Sequence, residues 1–308
     1  MGLYLARRLL QAVPVLVGTT LIVFSLVFAL PGDPIAALYG DRPISPSVQQ
    51  ELREQYHLDE SLPAQYGHYM AGIATGDFGT DFSGRPVSEL LGERWVVTLD
   101  LVLTAFVLQS VLGIALGCLA ALRRGSPADL AVLAGTTGLL SVPLFVVAFA
   151  LQIVVGVELG LLPIAGTEQG WPVAYLLPSL VIALVGLAPV ARLTRATLLE
   201  NQRAEYVRTA RAKGLSDRRV FVRHTLRNSL IPVVTFLGVD LGLMLGGTVV
   251  VETIFNLPGI GQLLTQSIEA QEGAVVVGVA TVIVLAFLAI NLVVDLLYGL
   301  LDPRVRHG

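Results

Sequence analysis

Six stretches of this chain are long enough to cross a membrane and carry at most one charged residue each, with polar segments between them. Leu9 to Leu30 has no charged residue at all. The others lie at about Trp95–Leu122, Leu130–Val157, Val173–Ala191, Leu230–Val251 and Val275–Leu297. A helix rises about 1.5 Å per residue, so each can cross a hydrocarbon core of about 30 Å. Only helices and closed barrels satisfy their backbone polar groups in lipid. Runs of this length are helices, so the pattern predicts an all-α, polytopic membrane protein with six transmembrane helices.

The polar segments differ from one another. Residues 31–94 carry ten acids and four bases and form a cap on the outer side. Within it, Ser47 with Gln50 predicts a capped short helix through Gln55. Gly76-Asp77-Phe78-Gly79 predicts a turn. Pro86 predicts the start of another helix, with Val87, Leu90 and Leu91 on one face. Residues 192–229 are instead densely basic. There Glu205 to Lys213 lacks Pro and Gly and predicts a helix. Gly214 breaks it, because glycine accepts positive φ in a sharp turn. Ser216 or Asp217 caps a second helical stretch, on which Val222, Leu226 and Leu230 form an apolar stripe. A helix, a glycine corner and a second helix lying flat under the membrane suit docking onto another protein.

Composition agrees with the pattern. Of 308 residues 54% are hydrophobic and 14% charged, and mean hydropathy is +0.75, which a soluble domain of this size does not need. The net charge of −3 hides a segregation of signs. With both termini inside, sixteen of the twenty bases fall on the inner side, as the positive-inside rule requires. Arg7 and Arg8 before an apolar run imitate a secretory leader. The run is longer than a leader core, however, and Pro31-Gly32-Asp33-Pro34 is not a cleavage site, so an uncleaved first span is expected. The expected organisation is a first helix at 1–30, the cap at 31–94, and a five-helix core at 95–308 containing the inner loop 192–229. Cys118 is the only cysteine and excludes an intrachain disulfide.

Within the spans, Gly113 and Gly117 form a small-xxx-small pair that lets another helix approach. Pro143, Pro178 and Pro189 predict kinks or hinges. Gly238, Gly242 and Gly246 make a glycine face, for tight packing or for lining a passage. Asp240 lies beside it, and an acid inside a span is a functional candidate unless neighbours satisfy it. Asp100 lies near the outer end of its span, and Asn291 and Asp295 lie in the last one. Glu252 to Gly261 predicts an outer corner, followed by a short amphipathic piece to Glu272.

The basic segment resembles the Glu-Ala-Ala loop of permease subunits in ATP-binding-cassette importers. That motif reads Glu-Ala-Ala, three residues, Gly, nine residues, Ile-x-Leu-Pro. Arg208, Thr209 and Ala210 hold the first place, Gly214 the glycine, and His224 to Arg227 the last. Ala210, Gly214 and Leu226 agree; the leading Glu, the Ile and the Pro do not. RTARAKGL followed by RHTLRNSLIPV is similar to the first permease subunit of dipeptide and oligopeptide importers. So are ARRLLQAVPVLVGTTLIVFSLVFALPGDP, GDFGTDFSGRPVSELLGERW and VVVETIFNLPGIGQLL. The resemblance covers nearly the whole chain and implies the type I importer permease fold in a bacterial inner membrane. It implies coupling to an ATPase through Glu205, Thr209, Ala210, Lys213, Gly214, Leu215 and Ser216. Gly238, Asp240, Gly242 and Gly246 are then candidates for the translocation path. Expected partners are a second homologous permease subunit, two ATPase subunits, an external substrate-binding protein and membrane lipid.

No cofactor is expected in this chain; ATP and Mg belong to the ATPase subunits. The chain lacks G-x-x-x-x-G-K-[ST], so it is not expected to be the motor or an enzyme. No H-E-x-x-H occurs, and the four histidines are scattered, so no metal site is expected. Positive-inside bias already explains the basic loop, so no nucleic acid is expected. Haem, a nickel chelate or glutathione are alternative cargoes. An ion-coupled transporter using Asp240 would show internal repeats, which are not seen. A scaffold would leave the glycine face without a passage.

Overall fold

The computed structural model describes residues 2–28, 45, 50 and 59–301. The expected helix at Ser47–Gln55, the Pro31–Pro34 segment and the Asp302-Pro303-Arg304 end lie outside the described residues. Among the described residues the structure is helical, with one isolated bridge between Thr80 and Pro86. In order, the helices are α1 Gly2–Phe28, α2 Leu62–Thr75, α3 Val87–Leu122, α4 Pro127–Leu140 and α5 Leu144–Leu151, which continues as a π-helix through Gln152–Glu158. Then follow α6 Val173–Asn201, α7 Glu205–Ala212, α8 Asp217–Ile254, α9 Ile260–Glu269 and α10 Gly273–Leu301.

Among the described residues five helices, α1, α3, α6, α8 and α10, are long and apolar enough to cross a membrane, and the bent pair α4–α5 can supply a sixth crossing. The third apolar stretch is therefore not one straight span, since its two halves meet at 107°. Pro143 is extended at φ −57, ψ 141 and opens α5. The residues before it, Gly135-Thr136-Thr137-Gly138 and Ser141, are poor helix formers and do not resist the break. Pro178 and Pro189 lie inside the unbroken α6, flanked by strong apolar helix formers that pack on their neighbours.

The chain divides into two compact units. In the first, Met1–Thr98 with Pro258–Leu292, the core joins Val87, Leu90 and Leu91 to Ile260, Leu263, Val275 and Val279. The helix predicted to start at Pro86 and the span predicted from about Trp95 are thus one helix: its opening turns have apolar partners, and nothing up to Leu122 stops it. A helix of this length runs about 54 Å, well beyond the hydrocarbon thickness of about 30 Å. The predicted turn at Gly76–Gly79 has positive φ at both glycines. Beyond it Asp81 Oδ1 accepts from the Ser83 and Arg85 amides, each at 2.8 Å. The α2 tyrosines tie the first unit together. Tyr66 OH lies 2.9 Å from Thr20 Oγ1, and Tyr69 OH lies 2.6 Å from Thr281 Oγ1. Burial pushes the Tyr69 phenol up to about 12 despite its bond to Thr281.

The second unit, Leu99–Leu257 with Val293–Gly308, is organised around α6. Two-thirds of the α6 apolar window is buried (67%), against 11% for α1. Val190 of α6 packs with Val233 and Leu237 of α8, flanked by Phe106 and Ile114 of α3. Thr197 Oγ1 donates to the Ser229 carbonyl at 3.0 Å, and Ser229 Oγ donates back to the Thr197 carbonyl at 3.1 Å. Gly113 and Gly117 permit close approach to α6. A Cβ on Gly113 would lie 2.6 Å from Val190 Cγ1, and one on Gly117 would lie 2.6 Å from the Ala191 carbonyl oxygen.

The register of α8 departs from expectation. Val220–Leu226 is a π-helix, and the basic stretch runs without interruption into the span. The second helical stretch is thus the start of α8 and not a separate helix. The predicted stripe of Val222, Leu226 and Leu230 is also displaced, because Val222 is 53% exposed. Val220, Thr225, Ser229 and Val233 are buried instead. The first step is five residues and the next two are four, as one π turn followed by α geometry requires.

Candidate functional site: the α7–α8 corner and a polar contact between spans

Helix α7 is short and amphipathic. Val207 and Ala210 are buried against Val220 of α8, and Leu215 packs on the same cluster. Eight residues cannot hold a helix alone in water, so this small cluster fixes α7 in place. The turn that follows has the bonds of a Schellman motif. The Gly214 amide donates to the Arg211 carbonyl at 2.9 Å, and the Leu215 amide donates to the Ala210 carbonyl at 3.3 Å. Gly214 sits at φ +78, where an L side chain is strained by about 1–2 kcal/mol. Ser216 occupies the N-cap of α8 with φ −62 and ψ 147, but its side chain makes no capping bond. The predicted capping role is therefore positional only.

The seven residues expected to couple do not share one surface. Glu205, Thr209, Lys213, Gly214 and Ser216 are exposed, and Leu215 is half-buried. Ala210 is only 5% exposed and faces α8. Its small side chain packs closely within the chain, with Val207, Val220 and Leu215. A Cβ on Gly214 would meet nothing within 4 Å, so bulk added there projects outward. The Glu205 carboxylate accepts from Arg208 at 3.1 Å, and Arg211 lies 3.7 Å from Asp217. Both pairs are solvated, and such pairs contribute about 0–1 kcal/mol.

Within the spans, Asp240 meets Gln109 of α3, whose Nε2 donates to Asp240 Oδ2 at 2.5 Å. Gln109 is fully buried, and its Oε1 has no partner among the described residues. Gly186 of α6 makes room: a Cβ there would collide with the Gln109 amide. Three helices thus meet at one buried amide. The glycine face of α8 divides along its length. Gly238 packs where a Cβ would lie 2.5 Å from Val294 Cγ1, and Gly242 is buried. Gly246 and Gly247 face open space.

Two features escape a reading of the sequence. Gln109 is one amide in an apolar run, with nothing local to mark it. Asp129 and Arg195 form a two-pronged ion pair, with both contacts at 2.7 Å, and the Gly125 amide donates to Asp129 Oδ2 at 2.9 Å. The pair joins the start of α4 to the last third of α6. Its members stand 66 positions apart, and no periodicity relates them. The only available signal is an acid at the first turn of an apolar helix.

Comparison with known proteins agrees with this architecture. Residues 113–307 match the family described as the binding-protein-dependent transport system inner membrane component, and residues 1–92 match its N-terminal part. The dipeptide transport system permease protein DppB of Escherichia coli K12 is 36% identical, covering 99% of this chain and 98% of that protein. The glutathione transport system permease protein GsiC of Salmonella typhimurium LT2 is 39% identical, covering 99% of each. Among solved structures, the MetNI methionine transporter in inward-facing form aligns with TM-score 0.57 and 20% identity, over 69% of this chain and 96% of that one. An amino acid ABC transporter with histidines aligns with TM-score 0.53 and 17% identity, over 68% and 94%. The fold is that of type I importer permeases, and the location is a bacterial inner membrane crossed several times. The chain belongs to the family of inner membrane components of binding-protein-dependent transport systems.

Proposed function

We propose that this chain is one permease subunit of an ATP-driven importer of dipeptides or other short peptides. In this reading it forms half of the translocation path. A second, homologous permease subunit supplies the other half, two ATPase subunits supply the motor, and an external binding protein delivers cargo. ATP and Mg are held by the ATPase subunits. The carrying observation is identity of 36–39% over essentially the whole length to permeases named for a dipeptide and for glutathione. Glutathione is itself a short peptide, so the two readings share one chemistry: a small cargo with a free ammonium and carboxylates.

The α7–α8 corner is the coupling element in this proposal. Its exposed Glu205, Thr209, Lys213, Gly214 and Ser216 would contact an ATPase subunit. Ala210 and Leu215 act from beneath by holding α7 on α8. Residues 192–229 then lie on the cytoplasmic side and the segment before α3 outside. The neutral donor from Gln109 supports a packing role for Asp240, because its carboxylate already has a fixed partner. Gly246 and Gly247, with open space before them, are the better candidates for the path.

Reconstitution of the chain with its partner subunits and binding protein tests the proposal. Labelled dialanine or glutathione should enter vesicles only when ATP is supplied, and each cargo should be tested as a competitor of the other. Uptake by the chain alone, driven by an ion gradient, would refute the importer reading.

A further inference from the structure

Helix α4 is apolar, yet the two side chains it buries are both polar, Asp129 and Thr136. Its apolar residues are covered less: Leu130 is 69% exposed, and Val132, Leu133 and Leu139 are half-buried. Thr136 Oγ1 donates to the Val132 carbonyl of its own helix at 2.7 Å, so that bond ties α4 to nothing else. Among the described residues, the side-chain bonds from α4 to another helix all end on α6. Arg195 donates from Nε and Nη2 to the two oxygens of Asp129, and Arg192 donates to the exposed Thr137 hydroxyl. In lipid no hydrophobic drive holds helices together, so close packing and polar bonds decide which of them stay paired. The Asp129–Arg195 pair is two-pronged, ionic and largely withdrawn from water, which makes it the strong attachment.

The two ends of α4 are held differently. At its far end the helix stops at Leu140, and the chain turns by 107° into α5 after Pro143. At its near end the anchor, Arg195, stands on the part of α6 that leads into the corner. Two residues further on, Thr197 exchanges bonds with Ser229 of α8. At the last residue of α6, Asn201 accepts from the Tyr206 hydroxyl of α7. A displacement of the corner therefore reaches Arg195 along one helix with bonded neighbours. We propose that Asp129 and Arg195 are positioning residues for transport. The pair pins α4 to the corner-bearing end of α6, so α4 follows that end, and the break at Pro143 absorbs the change of angle as a hinge does. Without the pair, α4 keeps one exposed bond and half-buried apolar contacts, and it no longer follows. The inference rests on the importer reading, because the corner is displaced only if a motor acts on it.

The test uses the full chain, reconstituted in vesicles with its partner subunits and binding protein. In a Cys118→Ala parent, Leu130→Cys on α4 and Ala196→Cys on α6 carry spin labels at exposed positions. Their separation is measured without nucleotide and with ATP bound, and uptake per ATP hydrolysed is measured on the unlabelled complex. The expected result in the parent is one narrow distance, the same in both states. In Arg195→Gln the distance should spread, and uptake per ATP should fall about tenfold while hydrolysis persists, as loss of a charged hydrogen bond implies. Arg195→Lys, which returns a cation, should recover part of the ratio. Asp129→Asn removes the charge but keeps an acceptor for the Gly125 amide, and it serves the same measurement where Arg195→Gln does not assemble. Arg123→Gln, which removes a charge just after α3, should change neither readout. A distance that shifts between states in the parent would overturn the pin, as would an unchanged ratio in Arg195→Gln and Asp129→Asn. Parallel loss of uptake and hydrolysis in both variants would mark the pair as merely structural and overturn it too. Absence of ATP-driven uptake in the parent is a separate result, which would refute the importer reading itself.

Discussion

The α7–α8 corner and the Gln109–Asp240 contact differ in how much of the chain each one needs. The corner is complete within Glu205–Val220: one short helix, one glycine at positive φ and one four-residue apolar cluster. The contact joins residues 131 positions apart and depends on space left by Gly186 on a third helix. A local device can be altered on its outer face while the rest of the fold stays intact. A device shared by three helices cannot, because each part is also part of the packing. The corner can therefore carry a docking function that is separable from folding, whereas the buried contact chiefly specifies how the helices meet.

Variants can break this distinction. The largest effect is expected from Gly214→Arg. It strains the turn by about 1–2 kcal/mol, too little to unfold the chain, yet it projects a long cation into the space where a partner would sit. ATP-dependent uptake should be lost while membrane insertion persists. Gly214→Ala adds the strain without the bulk and should retain most uptake. Ala210→Arg should also abolish uptake, but by a different route. It drives a charge into the Val207–Val220 cluster, so α7 should become sensitive to protease. Protection of α7 in that variant would contradict the packing assigned to Ala210.

Next in size are the contacts within the helices. Gln109→Leu leaves the Asp240 carboxylate without its donor and should cost about 1–3 kcal/mol in a detergent unfolding series. Gly186→Ala should act in the same direction by expelling the Gln109 amide. Asp240→Asn keeps an acceptor oxygen, so it should retain transport at every pH tested; its loss of ion-driven uptake would restore Asp240 as a coupling residue. Asp129→Ala strands Arg195 and should cost about 2 kcal/mol. The smallest effect is expected for Arg219→Ala, an exposed residue with no side-chain partner among the described residues, at under about 0.5 kcal/mol.

The same contrast explains what the sequence makes legible. The apolar stretches, the helix–glycine–helix corner and the close approach at Gly113 and Gly117 rest on local spacing, and the structure has each of them. Positions that depend on distant partners are not visible in this way. The helix predicted to start at Pro86 is present, but its union with the next span into the single helix Val87–Leu122 is not legible, because Ile260, Leu263, Val275 and Val279 bury its first turns. The π turn at Val220–Leu226 moves the buried stripe from Val222 to Val220 and Thr225, a shift that no α-helical periodicity anticipates. Ala210 matches a small-residue position in the motif, but its neighbours in space put it inside. Pro143 breaks its helix and Pro189 does not, because the stability of the flanking segments decides the outcome, not the proline alone.

The central claim is that the exposed face of the corner contacts the motor. A photoreactive amino acid in place of Lys213, which lies between α7 and Gly214 and is exposed, tests it in the intact complex. Glu168, in the loop between α5 and α6, serves as the comparison position. The account predicts an ATP-protectable or ATP-altered cross-link from Lys213 to an ATPase subunit and none from Glu168. A cross-link to the ATPase from Glu168, or none from Lys213 while the complex remains assembled, would contradict it.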